Sequence, residues 1–291
     1  MKNITNLQSQ ARIQNRQLIS YEIFPPKGDL TLETARSVAG DLAQLQPDFI
    51  SVTFSAGGSG NSQATSEVVQ LIQDEFNIPT MAHLTCYGAT KDTIADHIAD
   101  YRARGINNVL ALHGDPVPGV KPKDFQHARD LIEILADEGF CVGAAAYPEG
   151  HVSCFSEDEN IRHLADKQSA GANFFITQLF FDNEVFYRFW DKALNAGVSV
   201  PIEVGIMPFL SKSQITRMIF TCGASLPSPV VKLLAKYEND EISLRKAGIE
   251  YACQQLTDLS DHGVDGLHVY VMNHADVARE TTEALRSHWG A

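Results

Sequence analysis

The stretch NVLALHGDP, residues 108–116, decides the fold class. A short apolar run, Val109–Leu112, is followed at once by the polar residues HGDP at 113–116. A run of this length is typical of a parallel strand buried on both faces, and the residues just past it would lie at the strand's carboxyl end. Folds of the α/β class place their chemistry at that end. On its own the segment also fits an ordinary turn, so the rest of the chain must decide.

Seven further segments repeat this pattern of an apolar strand followed by polar or aromatic residues. The predicted strands are 18–24, 49–54, 80–86, 109–112, 141–146, 174–181, 202–206 and 266–271. Helical spacing predicts helices at 31–46, 66–76, 92–104, 124–138, 156–169, 183–195, from 211, and at 275–288. A capping box at Ser156–Glu159 opens one of them, and Ser211 and Gln214 suggest another.

Eight strand and helix units without a linker predict a single (β/α)8 TIM barrel over residues 1–291. The pattern from 221 to 261 is longer than one helix and is broken by Pro227 and Pro229, which predicts an extra helical insertion before strand 8. An open doubly wound sheet is the alternative, and it is disfavoured because no G-x-G-x-x-G turn occurs. The glycine-rich segment at 57–61 lacks a P-loop ending and is predicted to be a mobile surface loop.

Composition limits the partners. Thirty-six acidic and 23 basic side chains give a formal charge of −13, which repels nucleic acid and anionic membrane surfaces. The five cysteines are scattered and odd in number, which indicates reduced thiols. The N-terminus lacks the apolar core of a signal peptide, and no stretch is long enough for a membrane span. We therefore expect a cytoplasmic protein with no nucleic-acid or membrane partner.

The predicted barrel brings several chemically useful side chains to one face. They follow or end the strands: Glu22, Thr53, His83, Asp115, Tyr147, Gln178 and Tyr270. Glu22 is unusual, because a carboxylate in a buried strand costs several kcal/mol unless it is paired, and burial favours its protonated form. No set of residues has metal-ligand spacing, and no nucleophile elbow occurs. The functions that remain compatible with these side chains are acid–base catalysis and the binding of a flat heterocycle.

Eight motifs in order are similar to those of bacterial methylenetetrahydrofolate reductases, over nearly the whole chain. They are YEIFPPK (21–27), SVTF (51–54), HLTC (83–86), ALHGDP (111–116), AAYPEGH (145–151), SAGANFFITQLFFD (169–182), GIMP (205–208) and GLHVYVMN (266–273). The resemblance implies a barrel that holds FAD, in preference to FMN, and takes electrons from NADH or NADPH. It implies reduction of 5,10-methylenetetrahydrofolate to 5-methyltetrahydrofolate in one-carbon metabolism and methionine biosynthesis. It also implies a homo-oligomer without the S-adenosylmethionine-responsive domain of eukaryotic relatives.

The resemblance also implies roles for individual residues. Glu22 would be the general acid on N10 of the folate, Asp115 would tune the flavin and contact the folate, and Gln178 would bind the pterin. Further substrate contacts would be Gln214, Tyr270 and His274. The flavin contacts would be Thr53, His83, Leu112, His113, Gly114, Asp115, His127, Ala145, Tyr147, His151, His163, Asp166 and Lys167. Structural alternatives stay open: an ion pair for Glu22, a turn cap for Asp115, a buried structural amide for Gln178, a solvated helix lysine for Lys167 and a capping box for Gln214.

Five positions depart from the family pattern. Histidine stands where arginine is usual at His113 and His274, and His127 and Asp166 replace a tyrosine and a basic residue. Met218 stands where a phenylalanine stacks on the ligand. These departures keep open a variant with electrons from a partner protein or with FMN, and a non-catalytic flavin- or folate-binding subunit. A flavin-free lyase would need a Schiff-base lysine at a strand end or a metal set, and the sequence shows neither.

Overall fold

Eight parallel strands form a closed barrel in chain order, with β8 hydrogen-bonded back to β1. The computed structural model describes residues 2–26, 31–54 and 62–290. The strands are β1 (Leu18–Ile23), β2 (Phe49–Val52), β3 (Thr80–Thr85), β4 (Asn108–Leu112), β5 (Cys141–Ala146), β6 (Phe174–Thr177), β7 (Ile202–Ile206) and β8 (Gly266–Tyr270). The predicted (β/α)8 barrel is confirmed. The glycine-rich segment 57–61 lies outside the described residues.

Helices surround the barrel and alternate with its strands. They are α1 (Ile4–Ile13), α2 (Leu32–Ala43), α3 (Ser62–Phe76), α4 (Lys91–Ala103), α5 (Ala128–Asp137), α6 (Glu157–Ser169), α7 (Asn183–Asn195), α8 (Lys212–Cys222), α9 (Ser228–Lys236), α10 (Glu241–Asp261) and α11 (Ala275–Trp289). The insertion before β8 is confirmed as α9 and α10. Pro229 lies in the first turn of α9, where the missing N–H of proline costs nothing. None of the described helices combines the length and the apolar character that crossing a bilayer requires.

Helix α1 was not predicted. The N-terminus looks polar, yet Ile4, Leu7, Gln8 and Ala11 occupy one face at helical spacing and are buried. This face closes the amino-terminal end of the barrel. Its three apolar residues, Ile4, Leu7 and Ala11, join the apolar cluster inside the barrel. The backbone N–H of Ile4 donates to Asn108 Oδ1 at 3.0 Å. A buried glutamine interrupts the apolar stripe, which is why the pattern was missed.

Two predicted elements have different bounds. Strand β6 ends at Thr177 and does not reach 181, because Leu179 and Phe181 turn away to pack in a separate apolar cluster with residues of α8, α9 and α10. Helix α5 begins at Ala128 and not at 124, because Asp130 Oδ2 accepts the backbone N–H of His127 at 3.0 Å and so closes the first turn there.

Apolar side chains fill most of the barrel interior at the amino-terminal ends of the strands, whereas polar side chains gather toward the carboxyl ends. Apolar side chains at its amino-terminal half belong to one cluster, which includes Leu18, Phe49, Met81, Leu110 and Phe174. A second and larger cluster packs the outer strand faces against the helices. Because the lower interior is a packed core and not a channel, ligands can reach the barrel axis only from the carboxyl ends of the strands.

Candidate active site

The strand-end residues lie at the carboxyl side of the barrel, as the sequence predicts. Glu22 and His83 are within β1 and β3, Tyr270 ends β8, Thr53, Tyr147 and Gln178 directly follow β2, β5 and β6, and Asp115 lies three residues after β4. The parallel barrel therefore gathers them from seven strands onto one face.

Glu22 lies between two buried imidazoles. Its Oε2 atom is 3.4 Å from Nε2 of His83 and 3.6 Å from Nε2 of His268, and its side chain keeps 14% of its exposure. Neither Nε2 atom has a hydrogen-bond partner within the described residues. Burial lowers the pKa of His83, so this ring is neutral near pH 7. Among the described residues, the partners of Glu22 in such contacts are these two histidines and no lysine or arginine, so the alternative of an internal ion pair stays open with an imidazole as the partner.

A small cleft joins four of the predicted residues. Its volume is about 70 Å³, and Asp115, Tyr147, His151 and Gln178 line it together with Val152, Thr221 and Cys222. Asp115 is exposed at the cleft, whereas Gln178 is half-buried with Oε1 accepting the backbone N–H of Leu179 at 2.8 Å. The last three lining residues were missed, because they come from the β5–α6 loop and the end of α8, where no strand-end pattern marks them.

Lys167 points inward from α6. Its Nζ atom donates to the carbonyl of Ala145 at 2.8 Å and lies 5.1 Å from the ring centre of Tyr147. Burial lowers the pKa of Lys167 to about 8. Lys167 is therefore not a freely solvated helix lysine. Its ammonium group lies next to the ring of Tyr147. The ring of His151 stands edge-on to the same tyrosine, with the two ring centres 4.9 Å apart.

Histidines cluster beside this lysine. The rings of His127 and His163 stack with centres 6.5 Å apart, and both side chains are exposed. His113 is half-buried after β4, and its Nε2 atom is buried without a partner among the described residues. Burial lowers the pKa of His113, and His127 lowers it further. Burial also lowers the pKa of His151. His113 and His151 therefore offer hydrogen bonds from neutral rings near pH 7, whereas the family pattern has an arginine at position 113.

The other predicted flavin contacts surround this region. Gly114 has φ +88°, and a Cβ atom there would lie 3.0 Å from Cβ of Thr85, so only glycine allows the chain to pass so closely. Thr53 is fixed by its backbone, which donates to Ile23 and accepts from Thr65. The remaining three are half-buried or offer backbone groups: Leu112 at the end of β4, Ala145 on β5 and Asp166 on α6.

Three predicted substrate contacts are explained in part by local structure. Gln214 Oε1 accepts the N–H of Leu210 at 2.6 Å, and its own N–H donates to Ser211 Oγ, as the capping alternative predicts. His274 is exposed at the start of α11. Tyr270 Oη donates to the carbonyl of Thr177 at 2.6 Å, and burial raises its pKa well above the usual range. Their roles in substrate binding stay predictions.

A buried polar network below Glu22 was also missed. It consists of Ser20, His268, Glu203 and Gln8, all buried within the barrel or under α1. The signal was present in the sequence: Glu203 lies in the apolar strand IEVGI and is as anomalous there as Glu22 is in LISYEI. Residues 20 and 22 also share a strand face, since side chains alternate along a strand.

Comparison with known proteins agrees with this geometry. A family model described as methylenetetrahydrofolate reductase matches residues 6–286. The chain is 34% identical over 272 residues to the 5,10-methylenetetrahydrofolate reductase of Salmonella typhimurium, covering 93% of this chain and 91% of that protein. It is 33% identical over 272 residues to the Escherichia coli K12 protein of the same name, with the same coverage. Methylenetetrahydrofolate reductase 1 of Schizosaccharomyces pombe is 32% identical over 274 residues, which cover 91% of this chain and 45% of that protein.

One solved structure shows the same fold. It is an uncharacterized protein from Clostridium thermocellum that binds two copies of 5-methyl-5,6,7,8-tetrahydrofolic acid. It superposes with a TM-score of 0.66 at 19% identity, over 95% of this chain and 99% of that one. At that identity the likeness concerns the fold alone, whereas the family model extends over nearly all of the chain. By that match and by its identity to the bacterial enzymes, the chain belongs to the methylenetetrahydrofolate reductase family.

Proposed function

We propose that this chain reduces 5,10-methylenetetrahydrofolate to 5-methyltetrahydrofolate with FAD as cofactor and NADH or NADPH as electron donor. The observation that carries the proposal is the placement of Glu22, between two imidazoles at the same barrel end as the cleft of Asp115 and Gln178. A proton donor and a polar clamp for a heterocycle then share one site.

The residues around β4 and β5 fit a flavin nucleotide. The orphaned Nε2 atom of His113 can bond a ligand, and Gly114 lets the segment that carries His113 pack closely against Thr85. Lys167, which is half-buried, supplies a positive charge for a diphosphate in an otherwise acidic protein. With these residues holding it, FAD would supply the hydride chemistry that links the nicotinamide to the folate.

The protein's own groups prepare the folate. Protonation of N10 opens the methylene bridge, and Glu22 is the group that donates this proton. The resulting carboxylate then accepts a hydrogen bond from a neighbouring imidazole N–H, which stabilises it in a buried site. Asp115 stabilises the cationic folate that forms, and the Gln178 amide offers both a donor and an acceptor to the pterin ring.

Glu22→Gln tests the proposal. Gln keeps the shape but has no acidic proton, so we expect flavin reduction by NADH or NADPH to remain nearly intact and folate turnover to fall by about 10²-fold or more. Anaerobic stopped-flow measurement of the two half-reactions separates these effects through the flavin absorbance. Equal loss in both half-reactions would contradict the acid role.

Because of the departures from the family pattern, a second candidate function stays open: the same folate reduction with electrons from a partner protein. Met218 packs in an apolar cluster with residues such as Phe209 and brings no stacking ring. A protein whose flavin bleaches only with dithionite or with a partner protein would favour the variant with a protein electron donor. A colourless protein would oppose both candidates. We also expect a homo-oligomer, which sedimentation of the purified protein tests.

A further inference from the structure

A continuous chain of buried polar side chains runs down the barrel axis from Glu22 to α1. His268 Nε2 lies 3.6 Å from Glu22 Oε2, and His268 Nδ1 lies 2.7 Å from Ser20 Oγ. Ser20 Oγ lies 3.4 Å from Glu203 Oε2, and Gln8 Nε2 donates to Glu203 Oε1 at 2.8 Å. Ser20, Glu203 and His268 have no exposed surface. Glu22 is therefore linked to a second carboxyl group in the barrel interior.

The barrel makes room for this second carboxyl group. Glu203 on β7 pairs with Gly266 on β8, and a Cβ atom at position 266 would lie 2.9 Å from Glu203 Cγ. Any larger residue there would collide with the glutamate. Burial raises the pKa of Glu203 to about 8, because its charged form would lose the solvation that water provides. Glu203 accordingly holds a proton at neutral pH.

Several polar and acidic groups lie near Glu203, and none of those in the described part of the chain is a cation in contact with it. Gln8 and Ser20 donate hydrogen bonds that oppose the rise of its pKa, whereas the more distant carboxylates Asp48 and Asp265 increase it. Those two carboxylates are paired with Arg16 and Arg12 near the surface. The thiol of Cys141 and the ring of His268 complete the surroundings.

For one proton shared between Glu22 and Glu203, the hydrogens in this chain have two consistent arrangements. Ser20 has a single hydroxyl hydrogen and two partners, His268 Nδ1 and Glu203 Oε2. When Glu203 is protonated, it donates to Ser20, Ser20 donates to His268 Nδ1, and the Nε2–H of His268 is directed at Glu22. When Glu203 is ionised, every one of these hydrogens is reversed. The two arrangements differ by one proton moved from Glu203 to Glu22.

We infer that Glu203 is a buried proton reserve that restores the acid form of Glu22 after each turnover. This inference rests on the proposed function, in which Glu22 gives its proton to the folate. Glu203 touches neither substrate nor cofactor, so it is a positioning residue that acts through Ser20 and His268. The 3.6 Å contact between Glu22 and His268 closes with a small rotation of Glu22, as is common for catalytic hydrogen bonds before ligands bind.

The transfer balances without any electron transfer. The Glu203 O–H bond breaks as a new Ser20 O–H bond forms, the old Ser20 O–H bond breaks as His268 Nδ1–H forms, and His268 Nε2–H breaks as Glu22 O–H forms. Glu203 ends as a carboxylate that accepts from Ser20 and Gln8. Water that enters the groove of about 1280 Å³ at the amino-terminal side of the barrel, which Gln8 lines, would supply the replacement proton to the Glu203 carboxylate. Before the next transfer His268 must also lose its Nδ1 proton and regain one at Nε2, so that the net change per cycle is one proton taken up from water. Ligands bound at the mouth would cover Glu22 from above, which is why supply from below matters.

Two variants test the relay in the full-length holoprotein. Glu203→Gln keeps the shape and the bond to Gln8 but has no acidic proton, and Ser20→Ala cuts the chain while leaving Glu203 in place. Glu283→Gln is the control, because it makes the same chemical change at an exposed position of α11 outside the relay. For each protein, flavin reduction by nicotinamide, a single folate turnover after dithionite reduction, and steady-state turnover are measured from pH 6 to 9.

Both relay variants should keep flavin reduction and the first folate turnover within about twofold, since Glu203 acts only after Glu22 has given its proton to the folate, and lose about tenfold in steady-state turnover. The wild-type decline of turnover above about pH 8 should be absent in Glu203→Gln. The infrared band of a protonated buried carboxyl group should also be missing in that variant. Glu283→Gln should behave as wild type.

The outcomes separate the two proposals. Wild-type steady-state turnover in both relay variants, with turnover lost in Glu22→Gln, overturns the relay alone. Full folate turnover in Glu22→Gln overturns the proposed function itself. If Glu203→Gln fails to fold, Ser20→Ala carries the same expectation for turnover, and its wild-type behaviour would refute the relay.

Discussion

Replacement of Glu203 by glutamine should change how the stability of the protein depends on pH. In the unfolded chain this carboxyl group ionises at its ordinary pKa of 4.5, whereas burial raises its pKa to about 8 in the folded protein. The folded state therefore binds more protons between these two values, and the free energy of unfolding falls as pH rises through that window. The stabilisation is fully present at pH values below 4.5, the pKa in the unfolded chain, and it is lost as pH rises through the folded-state pKa of about 8.

The size of the effect follows from the rise in pKa. A rise from 4.5 to about 8 corresponds to roughly 5 kcal/mol between the two ends of the window. Glutamine has no proton to lose, so the Glu203→Gln variant should gain stability relative to wild type as pH increases, by an amount of this order. Near the lower end of the window the two proteins should be similar, since glutamine and a protonated glutamate have nearly the same shape and polarity.

Urea unfolding measured by circular dichroism at several values from pH 5 to 9 provides the assay. Glu283→Gln, an exposed change on α11, is the matched control and should leave the wild-type pH dependence unchanged. Parallel stability curves for Glu203→Gln and wild type across the whole range would refute the reasoning, because they would mean that Glu203 ionises in the folded protein as it does in water.

Three further changes have definite expected outcomes. Gly205→Ala would bring the new Cβ atom into collision with the Thr177 carbonyl oxygen and with Tyr270 Oη. Thermal melting should show a free energy of unfolding lower by about 1–3 kcal/mol, and a folate titration should show weaker affinity. His113→Arg should tighten FAD binding in a fluorescence titration by a similar factor at pH 7 and at pH 8, because burial lowers the pKa of the histidine and leaves its ring neutral at both; a factor that grows with pH would contradict this. Leu7→Ala should cost about 2–5 kcal/mol in urea unfolding by loosening α1, and an unchanged midpoint would show that α1 contributes little.

The strands and the site face could be predicted because they depend on local patterns. Each apolar run ends in residues such as HGDP at 113–116, and the parallel barrel brings those ends together whatever the details of packing. Residues joined by long-range packing could not be predicted in this way. Cys222 reaches the cleft from the end of α8, and Gln8 meets Glu203 across 195 positions of sequence. No periodicity encodes such a meeting.

The bounds of the strands and helices were also predicted less well than their existence, for a related reason. The apolar letters FFITQLFF continue beyond Thr177, but Leu179 and Phe181 serve a different apolar cluster from that of the strand. Hydrophobicity alone does not say which partner a side chain will meet. In α1 the converse holds, because its buried glutamine looks like a surface residue until Glu203 is seen opposite it.

The docking of α1 also bears on the order in which the molecule assembles. This helix leaves the ribosome before every strand of the barrel, yet its partners are Asn108 on β4 and Glu203 on β7, so it has no completed surface to bind until most of the barrel has been synthesised. It must wait in solvent for contacts with strands made much later, and contacts of such long sequence separation form slowly. Bulky fusions joined ahead of Ile4 should therefore delay the final step of refolding more than equal fusions placed after α11.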